Sequence, residues 1–117
     1  MIISNINTNY AFGRLKITTN GDPDAKAARV RYACSCPFER WERIDKLSGK
    51  TPVEIKFYPS CDGEDHVTTL MSCTIGEETF YRPVILDGPK DFQKKLNNIE
   101  KKLHEIRNEE TARKYFA

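Results

Sequence analysis

Five apolar residues near the C-terminus, Phe92, Leu96, Ile99, Leu103 and Ile106, advance by four, three, four and three positions, and nearly every residue between them is charged or an amide. That spacing is a helical seam, narrower than the apolar stripe of a helix lying on a globular core, and it predicts a long helix within residues 87–117 whose apolar row needs a cover. Two covers are open to it. One is a sister copy, giving a homodimer that self-associates along Phe92, Leu96, Ile99, Leu103 and Ile106; the other is the protein's own sheet. The seam covers only about two heptads, short for an autonomous coiled coil. Asp87, Gly88 and Pro89 supply a cap and a first-turn proline. If residues 89–115 are all helical, the rod is about 40 Å long at 1.5 Å per residue, against a radius of gyration of about 13 Å for a domain of this size.

Residues 1–86 read as mainly β. Turn-forming clusters at residues 20–24, 48–52 and 60–65 separate short runs in which apolar and polar residues alternate. Leu15 and Ile17 form one such row, Ala28, Val30, Tyr32, Cys34 and Cys36 a second, Val53, Ile55 and Phe57 a third, and Val67, Thr69, Met71, Cys73 and Ile75 a fourth. Period-two alternation predicts half-buried strands. Residues 67–75 and 79–86 form a hairpin around Gly76, and Pro83, lacking an amide hydrogen, places the second of those strands at a sheet edge. Ile2, Ile6, Tyr10 and Phe12 share one parity and predict a further strand. Pro37, the pair Phe38 and Trp41, and Gly49 predict a short helix at residues 37–46. The expected fold is therefore a single α+β domain over residues 1–117: an antiparallel sheet of five or six strands, the short helix, and the long C-terminal helix.

Composition limits the function classes. The 117 residues are 38% hydrophobic and 31% charged, which suits one domain with a modest core and leaves no run long enough to span a membrane. The opening residues lack the basic start and apolar stretch of a secretory signal, so a cytoplasmic setting is expected. Net charge is only +2. It is unevenly spread: Lys/Arg minus Asp/Glu is +4 over residues 1–50, −5 over 51–88 and +3 over 89–117.

Four cysteines, Cys34, Cys36, Cys61 and Cys73, invite a zinc reading with His66. They lack the paired knuckles that mark zinc sites, and their strand parity favours buried thiols, so neither a metal nor a cofactor is expected. A Cys/His nucleophile pair, Cys61 or Cys73 with His66, has no spacing that sets it above chance, and His104 falls beside the seam. The acidic group Asp62, Glu64 and Asp65 lacks the bidentate glutamate of a calcium loop and reads as a turn.

Pairing the first two alternating runs around residues 20–26 would set Arg14, Lys16, Arg29 and Arg31 on one sheet face, with Lys56 and Tyr58 beside them on the next strand. Clustered cations on a stiff support, next to an aromatic ring, suit phosphate and base recognition. Tyr81 and Arg82, near the end of the hairpin, read as strand surface, with part of a ligand cleft as the alternative. The expectation is a non-enzymatic binding protein, a small homodimeric inhibitor or accessory protein that occupies a macromolecular target. Phage accessory proteins are frequent among compact chains of this kind, an association of size rather than of residues. The alternative is a nucleic-acid or nucleotide binder that uses the basic sheet face, with or without stabilising zinc.

Overall fold

The structure is a computed structural model and describes residues 10–11, 13–61 and 67–116. Element order is β1 (Tyr10–Ala11), β2 (Leu15–Thr19), α1 (Pro23–Cys34), α2 (Phe38–Ser48), β3 (Val53–Cys61), β4 (Val67–Ile75), β5 (Glu78–Ile85) and α3 (Gly88–Phe116). The strands lie side by side in chain order. β1 is a two-residue pairing on β2, so the sheet is in substance four strands.

The α+β class and the long final helix are as the sequence predicts, but the all-antiparallel sheet of five or six strands is not what forms. β2 and β3 run parallel, Leu15 opposite Val53 and Ile17 opposite Ile55, which makes the sheet mixed. The cause is α1. Residues 28–36, expected as a strand, are helix through Cys34, and α1 with α2 forms the crossover that parallel neighbours require. Asn20, Gly21 and Asp22, expected as a turn between strands, instead prepare the helix start. The Asn20 side-chain oxygen accepts from the Asp22 amide at 3.0 Å, and Asp22 Oδ1 accepts from the Asp24 amide at 2.8 Å, an N-cap with Pro23 just inside. The buried side of α1 is Ala25, Ala28, Arg29, Tyr32 and Ala33, a helical spacing that the alternation of larger residues hides. The strand expected from Ile2, Ile6, Tyr10 and Phe12 falls largely outside the described residues.

The short helix forms as α2, with Pro37 in the N-cap position and Gly49, at φ +58°, ending it. The hairpin also forms. Its two-residue turn begins at Gly76 with φ +64°, as the turns matching strand twist demand, and Pro83 lies exposed on the edge strand β5.

Odd-numbered residues of the inner strands point into the core: Leu15 and Ile17, Val53, Ile55 and Phe57, and Met71, Cys73 and Ile75 are all buried. Against them pack Tyr32 of α1, Trp41 and Ile44 of α2, and Phe92, Leu96, Ile99 and Leu103 of α3. The seam is thus filled within one chain, with Ile106 half-buried at its end. Phe92, Leu96, Ile99 and Leu103 are therefore already removed from water within one chain, and of the five only Ile106 keeps exposed surface. Phe92 is the hub, its ring centroid 5.2 Å from Tyr32, 5.8 Å from Phe57 and 6.0 Å from Trp41. Past Ile106 every described residue of α3 is exposed; a helix of 29 residues, about 43 Å at 1.5 Å per residue, outreaches the body.

Candidate functional site

The helices α1, α2 and α3 lie on one side of the sheet, and the even-numbered described residues of β2, β3 and β4 point the other way. Lys16 and Thr18 of β2, Glu54, Lys56 and Tyr58 of β3, and Leu70, Ser72 and Thr74 of β4 share that uncovered face. Alternation dictates this surface directly, since each of these residues neighbours a buried one.

The face has a built interior. Lys56 places its ammonium 5.4 Å from the centre of the Tyr58 ring, and the Tyr58 hydroxyl is 3.2 Å from Ser72 Oγ. The ring is thus covered on one face by Lys56 and tied at its hydroxyl to Ser72. Thr18 Oγ1 donates to Glu54 Oε2 at 2.9 Å, so the one carboxylate among these residues is already engaged. Arg14 and Lys16 border a shallow cleft of about 220 Å³ with Glu54 and Thr74. Asp45 of α2 positions this corner: its Oδ1 accepts from the backbone amides of Arg14 and Leu15, each at 3.1 Å, tying the start of β2 to the helix layer. No local pattern signals that contact, which spans thirty positions of chain.

The expected six-residue cluster is divided. Arg14, Lys16, Lys56 and Tyr58 stay together on or beside the uncovered face, whereas Arg29 and Arg31 leave it because their segment is helix. Arg29 is only 3% exposed, and burial pulls its pKa below the ordinary guanidinium value. Arg31 lies over its neighbour Tyr32, 5.1 Å from the ring centre, with Nη2 3.4 Å from Thr69 Oγ1 on the covered side.

Tyr81 lines a groove of about 250 Å³ between β5 and α3, with Phe80, Asn98, Lys101, Lys102 and Glu105. Asn98 Nδ2 donates to the Tyr81 hydroxyl at 2.9 Å. Arg82 is exposed on β5 outside that lining. On the other flank, Arg40 and Arg43 of α2 reach Glu100 of α3 at 2.7 and 2.6 Å, and that carboxylate holds Arg43 above the ordinary guanidinium value. These pairs are a clasp between helices. They were invisible in sequence, where the partners stand 57 and 60 positions apart.

Cys73 is fully buried, and desolvation, helped by the charge of Glu54, pushes its pKa up to about 12. Burial likewise raises Cys36, while Cys34 is exposed. Neither buried thiol is primed as a nucleophile. His66, the acidic group at residues 62–65 and the Cys61 side chain lie outside the described residues, and His104 is exposed on α3. Among the described residues no three His, Cys, Asp or Glu side chains gather as a metal site would require, and no helix is long and apolar enough to cross a membrane.

No protein-family model, curated protein or solved structure matches this chain.

Proposed function

We propose that the protein is a non-enzymatic binding protein whose uncovered sheet face receives single-stranded nucleic acid. The observation that carries this reading is the grouping of Arg14, Lys16 and Lys56 with a fixed aromatic ring on a sheet face that no helix covers, where Glu54, the one carboxylate among the described residues of β2, β3 and β4 on that face, accepts from Thr18. Phosphates meet the cations, and a base stacks on Tyr58, the pairing by which sequence-tolerant single-strand binders work. The test is fluorescence anisotropy with a labelled oligonucleotide across a salt series. K16Q/K56Q is expected to lower the magnitude of the log affinity against log salt slope by about 1.4, since each lost phosphate contact to a single strand removes about 0.7. Arg31→Gln, on the covered side, should change it little. Equal loss in both variants would refute the assignment of this face.

A protein partner or sister copy is the second reading. It is favoured by Leu70 and Ile85, paired across β4 and β5 at one end of the sheet, with Ile85 59% exposed. Light scattering separates the two: a dimer that Ile85→Lys dissociates, with no oligonucleotide binding, supports an interface between proteins.

A further inference from the structure

The row of α3 opposite the buried seam has a regularity of its own. Lys90, Lys94, Asn97, Lys101, His104 and Asn108 advance by four, three, four, three and four positions, and all six are exposed. At 3.6 residues per turn their mean direction lies about 160° from that of the seam, so the row faces largely away from the sheet, with Lys101 at the rim of the β5–α3 groove.

One carboxylate borders the row: Glu105 stands four residues after Lys101 and shares with it the lining of the groove against β5. Asp91 accepts from the Asp87 amide and from Lys95 Nζ, at 2.9 and 2.7 Å, and Glu100 is clasped by Arg40 and Arg43. Glu105 and Glu109 stand one row round, on the β5 side with Asn98. Asn97 Oδ1 accepts from Arg40 Nη2 at 2.5 Å, so part of its acceptor capacity is used within the chain. The helix therefore presents the cations Lys90, Lys94 and Lys101 outward along one line.

Helix stability accounts for Lys94, whose charge, after the Lys95 hydrogen bond, helps hold the carboxyl of Asp91, three residues earlier, below its ordinary value, but not for Lys90. Lys90 lies in the first turn of α3, where the macrodipole favours anions and disfavours cations. A polyanion laid along the row turns that conflict into attraction, because the ammonium groups and the positive helix end then act on the same charge. Lys90 to Lys101 spans about 16 Å, the axial length over which one strand of a duplex presents about five phosphates. A straight, stiff row matches a duplex, whose persistence length of about 150 bp keeps it straight over such a distance, better than it matches a single strand.

We propose that this outward row of α3 tracks the backbone of double-helical nucleic acid. The site lies on the opposite side of the molecule from the sheet face, and the proposal does not rest on what that face binds.

The test is anisotropy of the full chain with a labelled duplex DNA of about 20 bp over roughly 50–300 mM salt, with circular dichroism of each variant to establish folding. K90Q/K94Q/K101Q is expected to lower the magnitude of the salt slope by about 2.7, from about 0.9 per lost duplex contact, and to weaken binding at least tenfold at the lowest salt. K46Q/K50Q/K114Q removes the same charge from other exposed positions. It should leave the slope nearly intact. The proposal is overturned if both triple variants lose slope equally, if the unaltered protein fails to bind duplex at low salt, or if it binds poly-glutamate as tightly. Duplex binding lost in K16Q/K56Q but kept in the α3 variant also overturns it, while leaving the sheet reading standing.

Discussion

Phe92 joins the covalent sequence to the fold, because its ring touches an aromatic side chain from each of α1, α2 and β3. Phe92→Ala should cost about 3–5 kcal/mol, the transfer term plus the cavity left by a core ring. Because the seam is filled within one chain, the denaturation midpoints of native protein and variant should not depend on protein concentration. A midpoint that climbs with concentration would show the row shared between copies. Cys73 is a second residue whose burial is testable. Its pKa of about 12 lies above the ordinary thiol value near 8.5, so the folded chain keeps a proton that the unfolded chain gives up. Stability should accordingly decline as pH rises from about 8.5 toward 12, with a shallower decline in Cys73→Val. In native protein at neutral pH, iodoacetamide should label Cys34 and spare Cys73, as peptide mass mapping would show.

At the scale of elements, α2, α3 and the β4–β5 hairpin were legible because each carries a strong local signal: Pro37 and Gly49 around an apolar pair, the four-three spacing of the seam, and Gly76 between two alternating runs. The first of the three helices was not. Val30, Tyr32 and Cys34 alternate with Arg29, Arg31 and Ala33, which satisfies a period of two, while Ala25, Ala28, Tyr32 and Ala33 satisfy 3.6 only when alanine counts as a core residue. The Asp22–Pro23 cap and the helix preference of alanine decide the competition. Asp22→Ala should therefore cost about 1 kcal/mol and lower helicity at the melting midpoint, read by far-ultraviolet circular dichroism. A neutral outcome would mean that the cap contributes nothing to holding α1.

At the scale of the whole molecule, one cluster of buried side chains draws on the sheet and on all three helices. Trp41 sits inside it, its indole Nε1 donating to the Ala33 carbonyl at 3.0 Å. Melting followed by tryptophan fluorescence and by circular dichroism should coincide within error, the mark of a single cooperative unit; two separated transitions would contradict it. The radius of gyration, 15.2 Å, exceeds the value of about 13 Å for a compact chain of this length, consistent with a final helix that outreaches the body. The charged segments at the two ends meet through Arg40, Arg43 and Glu100, so part of the uneven charge order closes α2 onto α3. Periodicity and capping, both local, determined by themselves the α+β class, the hairpin, α2 and the length of α3. Tertiary structure decided what local patterns do not carry: that β2 and β3 run parallel, that the seam is covered by the chain's own sheet, and that Arg29 and Arg31 part from Arg14, Lys16 and Lys56. The physical reason is common to all three. Each depends on which face of one element meets another, and that choice is made by burying the largest apolar area at once, a quantity no short stretch of chain contains.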